Sequence, residues 1–256
     1  MNSVPISVTL ITLNEEANLP DAIKSVRDWA AEIVVVDSGS TDRTVELAKS
    51  LGARVLINPW RGFGEQKNFA QRAAAHDWVL SLDADERVSP ALAAEIRNEV
   101  ARAVSEDRVK GFRFPRKTYY LGRWIRHGGW YPGFLTRLAD RRAADWTEPK
   151  VHEELAVRGE VGELREPLDH YAFPSIREQV LTNLRYASLG AEQLGRRGRR
   201  PSVVRLILKP IGKFLETYFL KLGFLDGLPG FIISVNAAHS MFMKHAFQLE
   251  GRINRL

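Results

Sequence analysis

Four apolar runs alternate with helix-patterned segments over the first hundred residues, and that alternation restricts the chain to an α/β architecture. Ile6–Leu13 reads as a buried strand rich in β-branched residues, and Glu16–Ala30 has helical spacing. Glu32–Asp37 holds a second buried strand, Ile-Val-Val-Val, that ends in an acid. Thr41–Leu51 reads as a short helix, Arg54–Asn58 as a third strand and Gly64–Ala75 as a helix. Trp78–Leu82 is a fourth strand that runs into Asp83-Ala84-Asp85. Ser89–Val104 is a helix with Ser89 as its cap and Pro90 in its first position. Strands that are apolar throughout and separated by helices imply a mostly parallel sheet covered on both faces. Such sheets bind ligands at the carboxyl ends of their strands. Those ends carry Asn14-Glu15-Glu16, Asp37-Ser38-Gly39-Ser40-Thr41-Asp42 and Asp83-Ala84-Asp85-Glu86, so polar and acidic groups converge where a ligand belongs.

Composition removes whole classes of function. The chain has 256 residues, 45% apolar and 27% charged, which excludes a disordered or collagen-like chain. It has no cysteine, so disulfide scaffolds, Cys-ligated zinc, iron–sulfur clusters and thiol catalysis are excluded. Neither G-x-G-x-x-G after the first strand nor G-x-x-x-x-G-K-[ST] anywhere is present, which argues against a dinucleotide dehydrogenase or P-loop ATPase. Residues 1–100 carry 10 basic and 15 acidic residues, and residues 101–256 carry 27 and 16. An acidic front and a basic back suggest two jobs. Ile6–Leu13 lacks the basic start of a signal peptide, and the nearest candidate for a spanning helix, Leu228–Met243, is short and carries a His and an Asn.

Asp83 and Asp85 are the strongest chemical feature. In an extended strand, residues i and i+2 face the same side, so the pair would present two carboxylates together. Such a pair repels itself unless a cation sits between, and a hard divalent ion such as Mg2+ or Mn2+ commonly joins carboxylates to substrate phosphates. The alternative is a solvated turn.

The combination of Thr9-Leu10-Ile11-Thr12-Leu13-Asn14-Glu15-Glu16, Val34-Val35-Val36-Asp37-Ser38-Gly39-Ser40-Thr41-Asp42 and Leu82-Asp83-Ala84-Asp85-Glu86 resembles the inverting glycosyltransferases of family 2, in order and in spacing. The resemblance implies the GT-A type, Rossmann-like fold. Further on, Pro149-Lys150-Val151-His152-Glu153 and Leu222-Gly223-Phe224-Leu225-Asp226-Gly227 resemble the bacterial subgroup that builds the lipopolysaccharide core, in which a typical member adds glucose to the inner-core heptose. The resemblance implies a nucleotide-sugar donor, by the subgroup's habit UDP-glucose. It implies that Asn14 and Glu15 border the nucleotide, that Asp37 accepts a hydrogen bond from the uracil ring, that Asp83 sits near the ribose and that Asp85 ligates the metal on the diphosphate. Lys67, at the start of the helix after the third strand, matches a base that approaches the nucleotide in relatives; the alternative is a solvated helix lysine.

An inverting transfer needs one general base opposite the leaving diphosphate. Strand alternation in Val151-His152-Glu153-Glu154-Leu155 lets only one of the two acids face the site, and the resemblance favours Glu153 over Glu154, with Asp145 as a further alternative. His152 has no His four residues on, which excludes H-E-x-x-H zinc chemistry. His170 is a candidate metal or diphosphate contact, or a hydrogen-bonded structural histidine. Trp124–Trp130 mixes aromatics, a base and glycines as an acceptor loop or a buried cluster, and Arg113, Arg116 and Lys117 suit phosphates on an acidic acceptor or a solvated edge.

The chain divides into a catalytic domain, 1–174, and a helical C-terminal extension, 175–256. Seven basic residues and no acid lie between Arg196 and Lys213. Arg205, Lys209, Lys213 and Glu216 form one narrow polar stripe at about 100° per residue, with Pro210 starting or kinking the helix. A wide apolar face beside a basic stripe is the pattern of an in-plane helix on an anionic membrane; packing on the protein or a partner subunit is the alternative. The expectation is therefore a metal-dependent inverting glycosyltransferase, cytoplasmic and peripheral on the inner face of the cytoplasmic membrane, acting on a lipid-linked saccharide. The competing classes are a transferase with a polyprenyl-phosphate acceptor, a catalytically silent nucleotide-sugar fold, and a basic nucleic-acid-binding protein. The acidic front half and the lack of any nucleic-acid motif argue against the last.

Overall fold

A computed structural model of the chain describes residues 4–147 and 153–253. The alternating front half forms as its pattern demands. Strands β1 (Ile6–Thr12), β2 (Glu32–Asp37), β3 (Arg54–Ile57) and β4 (Trp78–Leu82) alternate with helices α1 (Leu19–Val26), α2 (Thr44–Ser50) and α3 (Phe63–Ala73). The strands pair in parallel, β2 with β3 and with β1, and β1 with β4. Val8, Leu10, Val35 and Leu80 are fully buried in the core under the sheet, together with Leu92, Ile96 and Val100 of α4 (Pro90–Glu106). Ser89 caps α4 by accepting from the Leu92 amide at 3.1 Å, and Pro90 occupies the first turn.

Beyond α4 the sheet becomes mixed. The short β5 (Glu86–Arg87) precedes α4, and β6 (Val109–Tyr120), β7 (Arg123–Ile125) and β8 (Gly133–Asp140) follow it. A hairpin of β9 (Ala144–Trp146) and β10 (Leu155–Val157) leads on to β11 (Glu160–Glu163) and β12 (Leu168–His170). The order is β3-β2-β1-β4-β8-β6-β12-β5, with β8 antiparallel to β4 and β12 antiparallel to β5. The β-rich stretch Gly111–Phe114 lies in the first half of β6, and Phe134–Leu138 lies within β8.

The chain forms two compact units rather than a single cut after residue 174. The first comprises residues 1–116 and 134–170, and the second residues 117–133 and 171–256. Residues 117–133 join the second unit because Tyr120 and Ile125 bury their side chains with Ile233, and the Tyr120 hydroxyl donates to Gln179. The second unit is built on α5 (Ile176–Arg196), α6 (Val203–Leu215) and α7 (Gly227–Ile253), with a π-helical turn, Glu216–Leu220, and a 3-10 turn, Gly223–Asp226, between the last two. Pro210 sits inside α6 rather than at its start.

Backbones touch where the 3-10 turn meets α7. A Cβ on Gly230 would lie 1.9 Å from the Gly223 carbonyl oxygen, and a Cβ on Gly223 2.6 Å from that of Thr217. Gly230→Ala is expected to lower unfolding stability by about 1–3 kcal/mol through overpacking. Gly251→Ala, in the same helix with nothing within 4 Å of the added carbon, is expected to raise it by up to about 1 kcal/mol. Urea denaturation of the two variants measures both.

Candidate active site

The first two strand ends are tied to each other before any ligand is considered. Asn14 takes a left-handed backbone conformation, φ 56°, that asparagine tolerates better than most residues. Its side chain accepts from the Thr41 amide at 2.8 Å, and its amide donates to Ser40 Oγ at 2.8 Å. The Glu15 amide donates to Thr44 Oγ1 and the Glu16 amide to Asp42. The Glu15 side chain is half-buried and accepts from Asn18 Nδ2 at 2.9 Å. Burial pushes its carboxyl above the ordinary value; the Asn18 bond opposes that, and the negative charges of Asp85, Asp42 and Asp83 add to it. Four carboxylates therefore share one field at the strand ends.

Asp37 lies where the sequence placed it but is not an open acceptor. It is 0% exposed and accepts from Thr12 Oγ1 at 2.9 Å, from the Gly39 and Ser40 amides at 2.9 and 2.7 Å, and from Ser40 Oγ. Burial alone would raise its pKa, but these donors outweigh burial and hold it below the usual range. An ionised carboxylate offers about four lone-pair positions, and here protein fills them. Asp37 shapes the loop after β2, and a direct bond to a nucleobase would have to displace one of these donors.

The second aspartate motif departs from the strand geometry expected for it. β4 stops at Leu82, and residues 83–86 turn, with the Glu86 amide donating to the Asp83 carbonyl at 3.0 Å. Asp83 and Asp85 consequently face different protein partners. Asp83 is held between Lys67 Nζ at 3.1 Å and Arg137 Nη2 at 2.6 Å. Burial pushes its pKa up, but the Arg137 and Lys67 charges overcome that and keep it far below the carboxylate range. Asp85 Oδ2 instead faces His170 Nε2 at 3.3 Å, across the β5–β12 pairing of Glu86 with His170.

Lys67 joins Asp83 to Glu153. It is only 2% exposed, lies 4.6 Å from the centre of the Trp146 ring, and contacts Glu153 Oε1 at 3.2 Å as well as Asp83. Its helix is fastened to β9 by Asn68, which donates to the Trp146 carbonyl and accepts from the Trp146 amide, both at 2.8 Å. Gln71 donates to the Ala144 carbonyl at 2.6 Å. The β9–β10 hairpin closes where Thr147 donates to the Glu154 carbonyl at 2.9 Å, which sets Glu153 at its mouth. Glu153 turns in to Lys67, while Glu154 is exposed. Asp145 is also exposed and pairs with Arg158 at 2.6 Å. Pro149, Lys150, Val151 and His152 lie outside the described residues.

Three members of this site escaped the sequence reading. Arg137 is buried on β8, and its guanidinium lies 5.4 Å from the Trp146 ring centre. Glu86, quoted within the motif without a role, is fully buried and accepts from the Asp83 amide at 3.0 Å. Its other oxygen lies 3.5 Å from Arg116 and 3.8 Å from Arg137. Burial pushes its pKa up against the pull of Arg137. Trp146 supplies the ring that both cations approach. The available signal was a lone arginine among the apolar residues of Phe134–Ala139. Arg113, by contrast, pairs with Glu163 at 2.9 Å, and Lys117 lies over the Trp124 ring. Trp124–Trp130 belongs to the second unit, where the Arg126 and His127 amides donate to Asp226.

Residues 7–148 match the family described as Glycosyl transferase family 2. The chain belongs to that family. It is 33% identical over 265 residues to the lipopolysaccharide core biosynthesis glycosyltransferase LpsC of Rhizobium meliloti, covering 98% of this chain and 97% of that one. It is 32% identical over 252 residues to an uncharacterized glycosyltransferase of Rickettsia bellii, covering 94% and 85%. Among solved structures, glucosyl-3-phosphoglycerate synthase from Mycobacterium tuberculosis in complex with phosphoglyceric acid superposes with TM-score 0.50 at 22% identity, covering 76% of this chain and 80% of that one. The fold is the GT-A type, and the protein is a glycosyltransferase.

Two expectations follow from the ion-pair network. Arg137→Met leaves Asp83 with one cation and Glu86 without its closest buried one, so it is expected to cost about 3–5 kcal/mol of stability, read by urea denaturation. Because the folded pKa of Asp83 is depressed, its contribution is complete above about pH 5 and is lost as pH falls below its ordinary value near 4. The stability gap between the wild type and Asp83→Asn should therefore be widest above about pH 5 and shrink steadily as pH is lowered below about 4; a gap independent of pH would contradict the pairing.

Proposed function

We propose that this family 2 glycosyltransferase is inverting and metal-dependent. It transfers a hexose, glucose from UDP-glucose in the first instance, to a hydroxyl of a lipid-linked saccharide such as the inner-core heptose of lipopolysaccharide. The observation that carries the proposal is the separation of roles at the end of β4: Asp85 beside His170, and Asp83 bridged through Lys67 to Glu153. The likeness to a lipopolysaccharide core enzyme along nearly the whole chain supports the acceptor class.

The residues fit a divalent ion. A carboxylate oxygen and an imidazole nitrogen 3.3 Å apart supply two ligands and leave the remaining positions to diphosphate oxygens and water, as Mg2+ and Mn2+ prefer. Asp85 and His170 would hold it. Such an ion, when bound, neutralises charge on the departing diphosphate. Asn14 and Glu15 border the nucleotide, Asp37 holds the loop against which the base lies, and Asp83 meets the ribose from its seat between Lys67 and Arg137.

Glu153 is the general base. It takes the proton from the acceptor hydroxyl as that oxygen bonds to the anomeric carbon. The bond from that carbon to the diphosphate oxygen breaks with its electron pair leaving on the nucleoside diphosphate, and the configuration inverts. Lys67 holds Glu153 by a 3.2 Å contact. A diphosphate competes for the same ammonium, so donor binding releases the carboxylate to the acceptor. On this reading the enzyme works in the cytoplasm, peripheral on the inner face of the cytoplasmic membrane, where a nucleotide sugar and a lipid-borne acceptor would meet. The exposed apolar stripe of α6 supports that siting.

Glu153→Gln is expected to lower kcat by about 10²–10⁴-fold and to leave the KM for UDP-glucose nearly unchanged. Lys67→Met should raise that KM and lower kcat together. Transfer assays with UDP-glucose and Mn2+, run with a heptose and with a polyprenyl-phosphate acceptor, measure both. Full activity of Glu153→Gln would remove the base, and product on the polyprenyl phosphate alone would replace the acceptor.

A further inference from the structure

Helix α6 is inside out for a helix in water. Val203, Val204, Ile207, Leu208, Ile211 and Leu215 fall within an arc of roughly 140°, and all six are exposed. Arg205 and Lys213, on the other side, are half-buried. A helix on a soluble protein turns its apolar stripe inward, and a large contiguous apolar patch marks an interaction site. The patch continues through the bend to the start of α7: Leu220 in the π-helical turn is 80% exposed and Leu228 in α7 70%, with Leu222, Phe224 and Leu225 exposed between them.

Charge is sorted along this surface. Between Phe214 and Met243 the charged side chains are Glu216, Lys221 and Asp226, and each has a partner. Glu216 accepts from Lys221 at 2.6 Å and from Lys213 at 3.1 Å. Asp226 is buried beneath the Arg126 and His127 amides. At the other end of α6, Arg196, Arg197, Arg199 and Arg200 are exposed, and no acid occurs between residues 193 and 215. The bend itself is stiff. Phe214 and Tyr218 stack at 5.3 Å, Phe231 packs against both, and the Gly223–Gly230 approach locks the turn. Neither helix alone is long and apolar enough to cross a membrane, and together they meet at a 70° break.

We propose that this bend is a one-sided membrane wedge. Its apex, Leu220 to Leu228, enters the acyl layer of an anionic bilayer while the arginines at 196–200 stay among the headgroups. The inference rests on the membrane siting above and deepens it by naming what is inserted. Charge complementarity selects the anionic bilayer over a second copy of the chain, because a copy docked on this face would set one acid-free basic segment against another.

The absence of cysteine makes the test clean. Leu220→Cys and Leu228→Cys, each carrying an NBD fluorophore, are mixed with phosphatidylglycerol/phosphatidylcholine vesicles with and without doxyl-labelled acyl chains. Val104→Cys, on the exposed face of α4, is the reference. Emission at 220 and 228 should shift to the blue and lose about half its intensity to the doxyl lipid, with the reference unmoved. The wild type should float with these vesicles and about tenfold less with phosphatidylcholine alone. Leu220→Glu/Leu228→Glu should lose flotation by about tenfold and keep the thermal shift given by UDP and Mn2+. Flotation with both labels still in water, or undiminished flotation of the double variant, would overturn the wedge and spare the membrane siting. No flotation of the wild type would overturn both. A blue shift that grows with protein concentration without vesicles would assign the face to a second copy.

Discussion

A half-buried carboxylate in a crowded acidic site needs counter-charge beside it, and Asp83 imposes that demand on everything around it. Lys67 answers from α3 and Arg137 from β8, while Glu86 accepts the Asp83 amide and faces Arg137 from behind. One network therefore connects the end of the fourth strand to a helix, to an antiparallel strand and, through Lys67, to the mouth of the β9–β10 hairpin. Asp83 faces these cations, while Asp85 faces His170. Two acids separated by one residue acquire different chemistry from their partners alone.

The parallel half of the fold was legible because each strand is an apolar run with an acid or asparagine at its carboxyl end. β2 and β4 fall at the bounds that hydropathy implies. The mixed half was not, because β7, β9, β10 and β12 are three residues each and owe their existence to partners distant in the chain. Strand alternation assigned Asp83 and Asp85 to one face, yet the turn drawn in by Glu86 parts them. Alternation left open which of Glu153 and Glu154 faces inward; both precede β10, and the structure turns Glu153 to Lys67 and leaves Glu154 exposed. Arg137 stayed hidden because an arginine on a strand reads as surface until its buried acids are known.

The C-terminal helices teach a different lesson. Periodicity revealed a polar stripe and an apolar face on α6, but the same pattern serves a helix packed in either orientation. Only the packing shows that the apolar face looks outward and the half-buried cations look in. Asp226 and the paired Gly223 and Gly230 explain the run Leu222–Gly227 locally: a buried acid receives two amides, and two backbones meet where no side chain fits.

Calorimetric titration of UDP into the wild type, with and without Mn2+, tests the division between Asp83 and Asp85 most directly. The account requires Mn2+ to tighten UDP by about tenfold or more, roughly 1.4 kcal/mol, and requires that gain to vanish in His170→Ala and Asp85→Asn while persisting in Glu153→Gln. Equal UDP affinity with and without the ion, or a gain that survives the loss of both His170 and Asp85, would contradict it.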